Sequence, residues 1–249
     1  MEDQVARLVD KAWDRFLETP PDRRLIIAIA GIPGSGKSRC LPLARVGKTT
    51  LASVLTRALN ARHAALHGPG APPVTAFVPM DGYHLTRAQL SAMPDPATAH
   101  ARRGAEFTFD GAGFLRLVRA LREPLGPATA DVLAPSFDHA VKDPKEDDIA
   151  VHPTHRIVVL EGLYVLLDQE PWRSAAALTD ERWFVEVDFS VARRRLARRH
   201  LAAGIVAGLE AGDQRAVGCD LVNGEQIVRL QLPVDEVVTS REDGGWVHE

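Results

Sequence analysis

Two short strings in this chain share a chemistry. Gly31 to Ser38 reads GIPGSGKS, and Gly47-Lys48-Thr49 repeats its ending. The first satisfies G-x-x-x-x-G-K-[ST], the pattern of a loop that cradles phosphate. Its glycines let the backbone curl so that successive N–H groups point at phosphate oxygens. The lysine neutralises the β- and γ-phosphates, and the hydroxyl can ligate Mg²⁺. A helix that starts just after the loop adds its positive end to the same anion. The candidate nucleotide-binding residues are therefore Gly31, Pro33, Gly34, Ser35, Gly36, Lys37 and Ser38, with Thr49 from the second ending. Lys37 is the candidate catalytic lysine, and Ser38 a candidate metal ligand.

The loop is followed by a difficulty. A helix is expected from about Lys37, yet Pro42 falls in its second turn, where the missing N–H and the ring would break it. Removing Ser38 to Lys48 would join GIPGSGK to TTLASVLTRALNAR and restore an uninterrupted loop and amphipathic helix, so residues 38–48 read as an insert. Three readings follow. Gly31 to Ser38 forms the loop and the helix resumes at Thr49; or Gly47-Lys48-Thr49 supplies lysine and hydroxyl, although its own motif would need a glycine where Pro42 stands; or the insert impairs nucleotide binding. The first fits the spacing best.

Two carboxylates stand where such a loop would need them. Asp81, in MDGYHL, follows the apolar run VTAFVPM, so it sits at a strand end where it can accept a proton from an incoming hydroxyl. Tyr83 and His84 would then line the acceptor pocket. Glu161, in LEGLYVLL, ends another apolar run; an ionised Glu among apolar neighbours needs a partner, and Mg²⁺ or the acceptor would supply one. Further on, VARRRLARRHLAAG places Arg195, Arg198 and Arg199 three and four residues apart, on one helix face, where they can reach one anion together.

The elements that carry these residues alternate. Val5, Leu8, Val9, Ala12, Trp13, Phe16 and Leu17 make an amphipathic helix that Pro20-Pro21 ends. Leu25 to Gly31, Val74 to Met80, a run from Arg156, and Trp183 to Phe189 read as strands, with a weaker one from Ala130. Helices are expected from Leu51, around Gly113 to Leu121, and from Val191 to Ala203. Strands alternating with helices predict an α/β fold: a P-loop NTPase-type three-layer α/β/α arrangement with a mostly parallel central sheet, whose ligands gather at the strands' carboxyl ends. No linker divides the chain, so residues 1–249 are expected to form one domain.

Bulk properties narrow the field. A net charge of -3 gives no basic field for nucleic acid. No run approaches the roughly 18 apolar residues of a membrane span. The first residues mix charge into their apolar positions, unlike a signal or transit peptide. Cys40 and Cys219 are too few for a disulfide framework. A cytoplasmic protein is expected, without nucleic-acid or membrane partners; self-association into a homo-oligomer is left open.

Taken in order, GIPGSGK, MDGYHL, ARRGAEFTFD, LEGLYVLL, RRRLARRHLAAGI and NGEQI resemble the phosphoribulokinase/uridine kinase family of P-loop kinases, and most of all its pantothenate-kinase-like and nucleoside or sugar kinase branch. The resemblance runs from about Arg24 to Val238. It implies an enzyme that uses ATP and Mg²⁺ to phosphorylate a hydroxyl of a small-molecule alcohol, with Asp81 as catalytic base, Glu161 on the metal or acceptor, and Arg103 and Asn223 on the acceptor. It also implies a lid helix around residues 191–204 whose arginines, Arg195 and Arg199 among them, stabilise charge on the transferred group. Cys219 stands where that family's segment has an asparagine, a departure from the pattern. The competing expectations are a degenerate P-loop protein disabled by the insert and a nucleotide hydrolase without an acceptor.

Overall fold

The computed structural model describes residues 2–35, 47–240 and 246–247. In chain order these form α1 (Glu2–Glu18), β1 (Leu25–Gly31), α2 (Lys48–His67) and β2 (Thr75–Pro79), then a 3-10 turn at Met80–Tyr83. Short helices α3 (Arg87–Ser91) and α4 (Pro96–Ala101) lead to α5 (Gly111–Arg122). Next come β3 (Val132–Asp138), β4 (Asp143–Val151), β5 (Ile157–Gly162), α6 (Trp172–Ala176), β6 (Glu181–Glu186) and α7 (Phe189–Ala202). The chain continues through α8 (Leu209–Arg215), a π-helical turn at Ala216–Leu221, α9 (Val222–Arg229), β7 (Glu236–Ser240) and β8 (Trp246–Val247).

The main sheet runs β2-β5-β1-β6-β7-β8, parallel throughout except for β8. β1 lies inside it and is buried along its whole length. Its side chains alternate between two cores: Leu25, Ile27 and Ile29 pack with Leu8 and Trp13 of α1 and Leu51 and Leu55 of α2. Ile26, Ala28 and Ala30 pack with Phe114, Trp172 and Ile227 from the other side. A strand covered on both faces can be apolar at every position, which is why its sequence shows no alternation. The three-layer α/β/α arrangement with a mostly parallel sheet is therefore the observed one.

Helix α1 is fastened by charge as well as by apolar contact. Arg7 and Lys11 bind Glu236 of β7, and Lys11 and Arg15 bind Glu181 of β6. Leu17, expected in the buried stripe, is 68% exposed. At about 100° per residue it lies about 180° from Leu8, outside the arc that meets the sheet.

The weak strand expected from Ala130 is β3, but it joins no parallel sheet. It pairs antiparallel with β4 in a separate hairpin. The β4 string DPKEDDIAV carries its charge on exposed positions and so hides its strand from an apolar pattern. The run from Arg156 leaves the sheet at Gly162; Tyr164 to Leu167 are buried outside it.

Candidate active site

Three neighbouring strand ends build the site. β5 lies between β1 and β2, and Glu161 is level with Ile29 on one side and Pro79 on the other. Gly31 and Asp81 each stand two residues further along, on strands about 10 Å apart, at twice the usual strand spacing. The start of the phosphate loop and the candidate base thus flank one buried carboxylate, Glu161, which is 4% exposed.

Glu161 is met from above by the second ending. Helix α2 begins at Lys48 with Gly47 as its N-cap residue. The Thr49 hydroxyl donates to one carboxylate oxygen of Glu161 at 2.9 Å, and the Lys48 ammonium is 3.7 Å from the other. Gly36, Lys37 and Ser38 lie outside the described residues. Among the described residues the lysine and hydroxyl beside Glu161 are Lys48 and Thr49. From Lys48 α2 runs unbroken to His67, with Leu51, Ala52, Leu55 and Leu59 buried.

The first half of the loop comes from the end of β1. Ser35 donates its N–H to the Ile32 carbonyl at 3.2 Å, is itself fully buried, and has no hydrogen-bond partner for its Oγ among the described residues. A buried hydroxyl of this kind suits a phosphate oxygen. Gly34 has φ +83°, and a Cβ there would lie 2.8 Å from the Ala192 carbonyl of α7. Only glycine meets both demands. Thr49 and Glu161 are hard oxygen donors of the sort Mg²⁺ takes beside nucleotide phosphates. Among the described residues no three His, Cys, Asp or Glu side chains cluster so as to hold a metal ion.

Asp81 is half-buried in the 3-10 turn. Its carbonyl accepts from the His84 amide at 3.2 Å and sits 2.8 Å from His84 Nδ1. The His84 ring makes tilted contacts with Phe109 and Phe137, at 4.0 and 4.9 Å between centroids. Burial pushes its pKa down and the nearby Asp81 only partly restores it, so the ring is neutral and Nδ1–H donates. Tyr83 packs edge-on against Phe114, and burial with the charges of Asp110 and Glu146 pushes its phenol well up. Both side chains line a cavity of about 340 Å³ beneath the hairpin, together with Asp110, Arg116 and Glu146. Asp81 is not among its lining residues.

The remaining sequence candidates separate. Arg103 bonds the Lys142 and Leu85 carbonyls and the Asp143 carboxylate, and lies over Phe137, so it fastens the hairpin. Its neighbour Arg102 points the other way and donates to Asn223 at 3.0 Å. Asn223 is 2% exposed and also donates to the Gly104 carbonyl; Asn-Gly here opens α9 rather than a turn, because Gly224 packs close against Ile32 and Phe189. Arg195 reaches Ser240 of β7 at 2.9 Å, whereas Arg199 faces Asp220 at 3.6 Å. Among the described residues the two thus have different partners. Lys48 and Arg102 are the residues that spacing undervalued. Lys48 had a signal, the repeated GK ending; Arg102 had only its place beside Arg103.

Among the described residues no helix is long and apolar enough to cross a membrane. No family model matches the chain. It is 58% identical over 167 residues to the ATP-dependent kinase-like protein notR' of Aspergillus versicolor, a match covering 67% of this chain and 95% of that one. It is 38% identical over 215 residues to a Schizosaccharomyces pombe protein named "Putative uridine kinase", covering 86% and 83% of the two. Among solved structures it is similar to a "putative fructose transport system kinase" from Silicibacter sp. TM1040, with a TM-score of 0.75, 33% identity, and coverage of 94% and 98%.

Proposed function

Because this chain belongs to the phosphoribulokinase/uridine kinase family of P-loop kinases, we propose that it transfers the γ-phosphoryl group of ATP to a hydroxyl of a small molecule. The observation that carries this reading is the row of strand ends: the loop start on β1, Glu161 on β5 and Asp81 beside it on β2, with Lys48 and Thr49 on Glu161. The amides around Gly34 and the N-terminus of α2 hold the nucleotide phosphates, and Lys48 neutralises their charge. Thr49 and Glu161 would hold Mg²⁺, which when bound would shield the phosphate oxygens.

Asp81 takes the proton of the acceptor hydroxyl as that oxygen attacks the γ-phosphorus. The bond from the γ-phosphorus to the bridging oxygen breaks, and ADP leaves with that oxygen's charge. His84, neutral and held to the Asp81 carbonyl, keeps the turn in place. Transfer of this kind asks chiefly for positioning and charge neutralisation, which polar groups on rigid strand ends supply. Arginines of α7 then close over the nucleotide.

The test is ADP formation by the full chain with ATP and Mg²⁺ across a panel of neutral and anionic alcohols. ADP release that depends on an acceptor supports the kinase. ADP release without any acceptor favours a hydrolase, and no nucleotide binding at all favours the degenerate reading.

A further inference from the structure

The cavity beneath the hairpin stands apart from the row of strand ends. Its walls come from the turn after Asp81, from α3 and α5, and from both hairpin strands. Among the described residues, Gly31, Lys48, Thr49, Asp81 and Glu161 contribute nothing to them. An alcohol held there is not presented to Asp81, so the cavity lies outside the transfer described above. Its volume of about 340 Å³ is at the small end of ligand pockets, which run from about 300 Å³ upward.

One buried group in it calls for a ligand. The chain has two tyrosines. Tyr164 is sealed in the core, and its hydroxyl donates to the Gly104 carbonyl at 2.8 Å. Tyr83 is 7% exposed, yet its hydroxyl has no hydrogen-bond partner among the described residues. A tyrosine hydroxyl this deep ordinarily has one. The ring is held edge-on against Phe114, and the hydroxyl opens on the cavity. Burial, with Asp110 and Glu146 nearby, keeps the phenol protonated, so it can both donate and accept.

Two carboxylates line the same cavity, one at the start of α5 and one on β4. Asp110 accepts from the Gly113 amide with one oxygen at 2.8 Å, while the other faces Arg116 across a long 3.4 Å. Glu146 comes from a break in the hairpin: the register jumps between Ala134 and Ser136, so Glu146 to Asp148 stand opposite Pro135 alone. Bulges of this kind re-aim side chains. Glu146 has no ion pair or side-chain hydrogen bond among the described residues. Leu117 and Val132 add apolar wall. Two carboxylates against one largely exposed guanidinium favour a cation, and the apolar wall favours one with an alkyl body.

We infer that this cavity is a second ligand site, for a small organic ammonium ion whose N–H groups donate to Asp110, Glu146 and the Tyr83 oxygen while its alkyl part lies along Leu117 and Val132. The site goes beyond the kinase reading and does not rest on it, since its ligand is neither nucleotide nor acceptor.

Tyr83 can report its own occupant. The full chain is labelled with 3-fluorotyrosine, and the fluorine resonances of Tyr83 and Tyr164 are told apart with Tyr83→Phe. Butylammonium chloride, butanol and sodium butyrate are titrated at constant ionic strength. Butylammonium moves the Tyr83 resonance to saturation and leaves that of Tyr164 in place. Butanol, which lacks the charge, and butyrate, which reverses it, each bind at least about tenfold more weakly. Glu146→Gln, at an exposed position, weakens butylammonium about tenfold, and Arg116→Gln, which removes the opposing charge, tightens it. An unmoved Tyr164 resonance shows that each variant is folded. No saturable shift with butylammonium, an equal response to butanol, or a Kd that neither variant moves overturns the inference and leaves the kinase reading standing.

Discussion

The Thr49 hydroxyl donates to the Glu161 carboxylate across 2.9 Å, and this one bond ties the start of α2 to the end of β5. The lysine that accompanies Thr49 there is Lys48, whose ammonium stands 3.7 Å from the same carboxylate. Replacing Lys48 by Ala is expected to lower ATP turnover more than Lys37→Ala does, by a factor of about 10² or more, as for loss of a charge that stabilises the transferring group. Parallel kinetics of the two variants check this. The reverse order would return the loop to Gly31–Ser38.

Thr49→Val keeps the shape of the side chain and removes its hydroxyl. Mg²⁺ then loses a ligand, and the Mg²⁺ concentration needed for half-maximal ADP formation should rise about 10–100-fold. A Mg²⁺ titration at saturating ATP reads the shift. An unmoved midpoint would take Thr49 off the metal.

Asp81→Asn keeps the turn's hydrogen bonds to His84, which use the backbone carbonyl. It removes the proton acceptor, so the acceptor-dependent rate is expected to fall by about 10²–10⁴ while ADP affinity stays. Calorimetry beside kinetics separates the two effects.

Gly34→Ala places a Cβ at positive φ and against the Ala192 carbonyl. The backbone alone costs about 1–2 kcal/mol. Both the melting temperature and ADP affinity should drop, the latter because the amides of the loop shift. Full ADP affinity in the variant would show that α7 yields instead.

Glu236 anchors α1. Burial raises its pKa, but hydrogen bonds from Arg7 and Lys11 and their charges outweigh that and pull it down to about 2. Its folded value lies below the ordinary carboxylate value. The stabilisation is thus full above about pH 4.5 and drains away as the pH falls towards about 2. Glu236→Gln should cost about 1.5–3 kcal/mol at pH 7, the worth of a hydrogen bond to a charged group. It should also flatten the acid limb of the unfolding curve, which melts at several pH values would record.

Much of the fold was legible because its central strands, Leu25–Gly31 and Ile157–Gly162, are apolar on both faces and closed by glycine. β4 and β7 were not legible: one is a charged hairpin strand, the other a short run of five residues whose partner is distant in sequence. Spacing placed Asp81 and Glu161 at strand ends, where they lie, since a carboxylate after an apolar run marks such an end. It gave Lys48 a lesser place than Lys37, because motif spacing assumes a contiguous loop, yet Lys48 is the lysine found near Glu161 among the described residues. It also fixed on Arg103 and passed over Arg102, for which of two adjacent arginines turns to the hairpin and which to α9 depends on tertiary packing.

Gly82 sits one residue past Asp81, and a Cβ on it would fall 2.0 Å from the Pro135 carbonyl of β3. With backbone pressed on backbone and Arg103 riveting Leu85 to Asp143, the turn and the hairpin Val132–Val151 form one mechanical lever. A displacement of Asp81 would carry the hairpin with it, so a spin label on exposed Val141 would report it from outside.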